Sequence, residues 1–349
     1  MKANLQTVAL LTPLYAAAAA AGWVFKTGGL PLPWMLGPLV LSAGCYVSGL
    51  ARFKVPVRTR PVGQMTVAAQ VGLTFTPTAF ASLLELAPMI VGLAVASGVL
   101  ASLVAIVLAR ATGMRLAQAF VSTFPTSPVE AAVIAERLGI APAPVVLAQT
   151  VRIAMIVFLV PMSIYLVDGM PDRSATGLAQ GFAIGHLALA ALAVAGALVF
   201  RLLRLSNPFF LGALAASAAT TAIGVQLPPF PPLVMALAQI ALGTWLGSVF
   251  RRELFAAGDG RILVTSVSAL ALLVLISAVA LGLAHLGGYP WETLVLGAAP
   301  GGVTEMALTA KYLGTEVALV TAIQLTRIFL FMPNIPWVVR LIDRSETRR

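Results

Sequence analysis

Charge is scarce in this chain, and so are the residue types on which soluble catalysis depends. Asp, Glu, Lys and Arg make up 10% of the 349 residues, against about 25% in soluble domains. There is one cysteine, Cys45, and there are two histidines, His186 and His285, on distant segments. A single cysteine excludes a disulfide scaffold, and two separated imidazoles cannot supply a copper or non-haem iron centre. There is no glycine-rich phosphate loop, zinc-ligand spacing or nucleophile constellation, so neither catalysis nor a cofactor is expected. The net charge of +10 could suggest nucleic acid. The basic residues, however, lie in the gaps between apolar runs rather than along one amphipathic face. That is where membrane proteins keep their topology signals, and nucleic acid is not expected as a partner.

Apolar sequence is abundant. Hydrophobic residues account for 60% of the chain and the mean hydropathy is +0.98, so the expected surroundings are a lipid bilayer. The apolar sequence is also duplicated. Pro125-Thr126-Ser127-Pro128-Val129-Glu130, Leu138-Gly139, Gln149-Thr150-Val151-Arg152 and Pro161 return as Pro300-Gly301-Gly302-Val303-Thr304-Glu305, Leu313-Gly314, Gln324-Leu325-Thr326-Arg327 and Pro336, every landmark displaced by 175 positions. Pro33-Trp34-Met35-Leu36-Gly37 returns at the same offset as Pro208-Phe209-Phe210-Leu211-Gly212. Paired apolar blocks interrupted by Pro or Gly at matching places point to a secondary transporter.

Six apolar segments can be read in each half: 7–25, 31–50, 61–84, 87–110, 115–139 and 141–167, then 177–200, 208–227, 231–250, 263–286, 291–313 and 315–339. Most can cross about 30 Å of hydrocarbon at 1.5 Å per residue. The first is read as a retained span rather than a signal peptide, because its counterpart lies in mid-chain. The fifth in each half is expected to break, at Pro125 and Pro128 or at Pro300-Gly301-Gly302, since proline removes a donor and glycine loosens the remainder. Basic residues favour the cytoplasmic side. With the Arg52-Lys54-Arg58-Arg60 loop inside, Arg201, Arg204, Arg251, Arg252 and Arg261 fall inside only if one segment per half enters and returns. Asp168 and Asp172 then lie outside, the Arg340, Arg344, Arg348 and Arg349 tail lies inside, and only Lys26 conflicts. The expected fold is thus an all-α polytopic membrane protein of two inverted-topology repeats, 7–167 and 177–341. It has about ten transmembrane helices and two broken, re-entrant ones. Both termini are cytoplasmic, the location is the bacterial inner membrane, and a homodimer is compatible.

Four ionisable residues remain deep in apolar segments: Glu130, Arg152, Glu305 and Arg327, two copies of one pair with a spacing of 22. A charge at the bilayer centre costs about 2.5–3.5 kcal/mol on insertion scales, so each is a candidate for function. Gln149 and Gln324 stand one turn before the arginines. Half-helix amino termini meeting near the midplane would present backbone donors and positive dipole ends. The candidate ligand site therefore comprises Glu130, Arg152, Glu305, Arg327, Gln149, Gln324, Thr126, Ser127, Gly301, Gly302 and Thr304, with helix breaks at Pro125, Pro128 and Pro300. The arginines would hold an anion, and the glutamates would carry protons. A structural reading competes: Ser127-Pro128-Val129-Glu130 is also a cap, a first-turn proline and a capping-box glutamate, with Arg152 as its neutralising partner.

Leu32-Pro33-Trp34-Met35-Leu36-Gly37-Pro38 and Ala299-Pro300-Gly301-Gly302-Val303-Thr304-Glu305-Met306-Ala307 resemble the AbrB family of bacterial membrane proteins, over nearly the whole chain. The family is defined by an internal duplication, and the first copy here has drifted, with Thr126-Ser127-Pro128 where the second has the glycines. Members are often labelled ammonia monooxygenases or regulators of gene expression, and neither label implies a transport substrate or catalytic residues. The inverted, broken-helix plan also looks like that of bile-acid symporters and cation–proton antiporters. The expected function is proton- or sodium-coupled transport of a small, anionic metabolite or ion; the alternative is a non-transporting membrane sensor or regulator of gene expression.

Overall fold

The computed structural model describes residues 2–53, 55–56, 59–126, 128–169, 184–205, 207–250 and 261–347. Ser127, Lys54, Arg58, Asp172, Arg251, Arg252, Arg348 and Arg349 lie outside the described residues. Sixteen helices and no strand occur among those that are described. In chain order they are α1 (Lys2–Thr27), α2 (Pro33–Val47), α3 (Thr59–Gly72), α4 (Pro77–Glu85), α5 (Ala87–Thr112), α6 (Leu116–Thr123), α7 (Pro128–Arg137) and α8 (Pro142–Asp168). They continue with α9 (Ile184–Leu202), α10 (Pro208–Ala222), α11 (Pro232–Gly247), α12 (Arg261–Gly287), α13 (Trp291–Ala298), α14 (Val303–Leu313), α15 (Val317–Phe331) and α16 (Ile335–Thr347). Six of them open on proline, whose fixed φ and missing donor suit the first helical position.

Four helices are long and apolar enough to cross a membrane: α5, α8, α9 and the Leu263–Gly287 part of α12. The number rises to six if two bent pairs each count as one span. Large aliphatic side chains such as Val99, Val107, Leu198 and Val274 stand exposed along these helices. A helix apolar on all sides belongs in a core or in lipid, which is consistent with a helical membrane protein.

The first bent pair departs from the expectation of one segment over 61–84. α3 and α4 meet at 85°, because Gly72 ends one helix and Thr76-Pro77 starts another, with the Thr76 hydroxyl accepting from the Ala79 N–H at 3.2 Å. The second departs from a single 315–339 segment. α15 and α16 meet at 46°, where Pro333 adds a second break upstream of Pro336. In the first half the matching position is Phe158, and α8 runs on through Pro161.

The backbone repeats what the sequence repeats. Among the described residues, left-handed conformations occur at Gly29 (φ 70°) and Arg204 (φ 56°), Leu32 (45°) and Asn207 (48°), Gly49 and Gly224, Gly113 and Gly288, and Gly139 and Gly314. Each pair is 175 apart, and among the described residues Gly169 (φ 79°) alone has no left-handed counterpart. Leu32 and Arg204 adopt this conformation without being Gly or Asn, at a cost of roughly 1–2 kcal/mol.

Two compact units divide the chain, and each draws on both halves. One comprises residues 1–85, 161–252 and 307–318. In it α1 packs on α2 and α9 on α10, while α2 packs on α11 and α10 on α3. Gly37 lies against the backbone of Ala21, where an added Cβ would stand 2.6 Å from the carbonyl oxygen, and its duplicate Gly212 lies against Gly196 in the same way. The other unit comprises residues 86–160, 253–306 and 319–349. There α5 packs on α12, α6 on α5, α13 on α12, and α16 on α6. Both helix breaks, after Thr123 and after Ala298, fall in this second unit.

Candidate functional site

The two breaks are built alike. α6 ends at Thr123, and Phe124 turns extended (φ −64°, ψ 132°); α13 ends at Ala298, and Ala299 does the same (φ −51°, ψ 132°). A helix that stops leaves its last carbonyls without intrahelical partners. Inside a bilayer no water can serve them, so protein must.

The buried Gln–Arg pairs perform that task. Gln149 Nε2 donates to the carbonyls of Val121 (2.6 Å), Ser122 (3.3 Å) and Phe124 (2.9 Å). Arg152 donates from Nη1 to Thr123 and Phe124, both at 3.1 Å, and from Nη2 to Thr126 at 3.3 Å. In the second copy Gln324 Nε2 donates to Leu296 (2.9 Å) and Ala299 (3.0 Å). Arg327 donates to Ala298 (3.2 Å), Ala299 (2.8 Å) and Gly301 (3.2 Å), and also to the Gln324 Oε1. Five donor–acceptor pairs thus recur at the 175-residue offset. The planar fork of arginine fits adjacent carbonyls as lysine could not, and a cation at the negative end of a half-helix is well placed.

Arg152 and Arg327 are 3% and 4% exposed, and both glutamines are fully buried. Among the described residues neither guanidinium has a carboxylate at ion-pairing distance, and the recorded ion pair, Arg115 with Asp343 at 3.6 Å, lies elsewhere. Arg152 is thus bound to the break itself and not to Glu130.

The breaks share one unit and lean on each other's arginine helices. A Cβ on Gly301 would stand 3.0 Å from Ile156 of α8. Phe331 of α15, the duplicate of Ile156, meets Phe124 edge-on with ring centres 5.0 Å apart.

The amino ends of α7 and α14 carry the glutamates. Glu130 Oε2 accepts from the Thr126 hydroxyl at 3.1 Å. The Glu305 carboxylate folds back over Gly302 and occupies the place a Cβ there would take. Both acids are half-buried, whereas Thr304, Thr126 and Pro300 are buried. Pro125 and Pro128 are half-buried, and Ser127 lies outside the described residues.

One contact near the site left no trace in the sequence. Glu346 of α16 accepts from the backbone N–H groups of Leu116 (2.7 Å) and Ala117 (3.2 Å) at the start of α6. No local spacing encodes a cap supplied from 230 residues away. Among the described residues there is no cluster of three His, Cys, Asp or Glu able to hold a metal.

Comparison with known proteins places this geometry in a family. The family model described as "Transition state regulatory protein AbrB" matches residues 1–168 and again residues 51–343, two overlapping matches that suggest a duplication. A Bacillus subtilis (strain 168) protein, "Uncharacterized protein YhjN", is 26% identical over 353 aligned positions, covering 94% of this chain and 91% of the relative.

Proposed function

This chain belongs to the AbrB family, and from that premise and the geometry above we propose that it is a secondary transporter of a small anionic metabolite. The transport is coupled to protons or sodium across the bacterial inner membrane. The observation that carries the reading is the pair of duplicated helix breaks in one compact unit, each with buried cation at its carbonyl end and carboxylate at its amino end. Such breaks leave backbone N–H groups available at depth, where an anion can use them. In this reading the halves are inverted, with about ten crossings, two re-entrant breaks and both termini cytoplasmic.

The division of labour follows from the hydrogen bonds. The arginine forks keep the breaks from collapsing and neutralise the carbonyl ends. The amino ends of α7 and α14 are the positions left for an anion, and there Glu130 and Glu305 already supply negative charge. An ionised glutamate repels an incoming anion, and a proton or sodium ion on it removes that repulsion. Cation and substrate therefore favour each other's binding, as symport requires.

Reconstituted protein tests this. Counterflow of labelled small organic anions in proteoliposomes should be accelerated by an imposed proton or sodium gradient. Glu305→Gln should retain binding and lose its dependence on the gradient. Binding without exchange in any gradient would instead identify a sensor.

A further inference from the structure

The second unit also carries an apolar groove, apart from the Gln–Arg clamps. It has a volume of about 230 Å³ and lies between α5, α6 and the bend from α15 to α16. Its floor is three phenylalanine rings: Phe120 stacks on Phe124 with centres 4.8 Å apart, and Phe331 meets Phe124 edge-on. Gly98 of α5 makes room for them, since a Cβ there would strike the Phe331 ring. Val95 and Val99 line the groove and are 45% and 54% exposed, so it opens on the outer, apolar side of α5.

The walls of the groove run to one end of this unit. Glu346 near the carboxyl end of α16 caps the amino end of α6, which follows α5 after three residues. Both long walls reach an arginine at that end. On α5, Val95, Val99, Ser102, Ile106 and Arg110 share one helix face. On α16, Val338, Leu341 and Arg344 follow one another at three-residue steps. At 1.5 Å per residue Arg110 stands about 12 Å beyond Ser102, and Arg344 about 9 Å beyond Val338. Both arginines are exposed, as is Arg340 one turn before Arg344. The two acids of α16 are turned inward, Asp343 to Arg115 and Glu346 to the α6 backbone, which leaves its outer face cationic. We propose that the groove binds one anionic phospholipid, with an acyl chain on the phenylalanine floor and its phosphate between Arg110 and Arg344.

Shape and charge select that ligand. Small-molecule pockets start at about 300 Å³ and enclose their ligand, whereas this groove is smaller and open along one side, as a single hydrocarbon chain needs. Arginine binds phosphate oxygens with its planar fork, and basic residues beside an apolar helix surface favour anionic headgroups. The duplicate supplies a comparison. At the equivalent positions Gly98 is Leu273 and Phe124 is Ala299, while Arg110 and Arg344 are His285 and Gly169. Floor and cationic end differ together between the copies, as parts of one site do.

The test needs no transport assay. Full-length protein in detergent is given equal amounts of phosphatidylglycerol and phosphatidylcholine with identical chains, and native mass spectrometry counts what it retains. One phosphatidylglycerol should be kept, in preference to phosphatidylcholine by about tenfold or more, since each arginine near the headgroup contributes about fivefold. Arg110→Gln combined with Arg344→Gln should erase the preference. Val99→Trp, which fills the groove from its exposed rim, should reduce retention of both lipids several-fold. All three positions are exposed, so these variants should melt like the unaltered protein in lipid-free detergent. Equal retention of the two lipids by the unaltered protein would overturn the proposal, as would a preference that survives the double arginine change. Retention undiminished in Val99→Trp would do the same by placing the chain elsewhere. Displacement of the lipid by glycerol phosphate would reveal a site for free phosphate instead, and a lipid-free pair of protein copies would show that a second copy covers the groove. Neither result bears on whether the protein transports.

Discussion

Gly72 of α3 lies directly on Ser217 of α10, and its duplicate Gly247 of α11 lies on Ser42 of α2, the duplicate of Ser217. The same contact is thus made twice, once in each direction between the halves. The halves interlock, since α2 of the first packs on α11 of the second and α10 of the second on α3 of the first. A Cβ on Gly247 would also meet the Ala43 N at 2.8 Å, and backbone cannot step aside. Gly72→Val and Gly247→Val should therefore each destabilise the protein by about 1–3 kcal/mol, the usual cost of overpacking. Thermal unfolding in detergent measures it. Residues 1–168 and 169–349 made as separate chains should be monodisperse only when produced together.

The arginine forks predict an asymmetry between charge and shape. Arg327→Lys keeps the charge, but an ammonium cannot reach Ala298, Ala299 and Gly301 in the geometry of a planar fork. At least one carbonyl at the break is left without a partner, at about 1–3 kcal/mol each. Arg327→Met removes every donor and should be worse. Size-exclusion profiles after a heating series should rank wild type above Lys and Lys above Met, and Arg152 should give the same order.

Glu346 offers a milder test at the edge of the protein. Its carboxylate caps the amino end of α6 through two backbone N–H groups, and Asp343 pairs with Arg115 beside it. Glu346→Ala should cost about 0.5–2 kcal/mol, as loss of a helix cap does. Glu346→Gln, which retains an acceptor oxygen, should recover part of it. Melting curves of the two variants give the comparison.

Much of this site was legible because the sequence states it twice. The matched offset located both breaks, both Gln–Arg pairs and both glutamates, and prolines mark six of the sixteen described helix starts. The partners of the arginines were not legible. A backbone carbonyl is present at every residue and leaves no mark in the sequence, so a buried arginine reads as a ligand clamp until the break is seen beside it. The right-angle turn between α3 and α4 was hidden by its own composition. Gly72 and Thr76-Pro77 are turn signals, but the apolar residues around them read as one span. The interlocking of halves was equally hidden, since a glycine facing Ser217 looks in sequence like any small residue in a membrane helix. Glu346 shows the same limit at long range, because a cap drawn from 230 residues away has no spacing to recognise.

Gly302 is where the fold bears most directly on the proposed transport. Its missing side chain leaves the place that the Glu305 carboxylate fills, at the amino end of α14. In Gly302→Ala the new methyl and that carboxylate cannot coexist, and the obstacle is the end of a flexible side chain, so the acid swings away and the helix stays. Stability should fall by under about 1 kcal/mol, since backbone packing is unchanged. Coupling should suffer far more, because a displaced carboxylate no longer sits where its charge opposes the anion. Uptake in proteoliposomes over a range of external pH, set beside melting temperature, separates the two effects. A nearly unchanged melting temperature with a flattened pH profile is expected. A normal profile in a folded Gly302→Ala protein would remove Glu305 from the coupling mechanism and leave it as a helix cap.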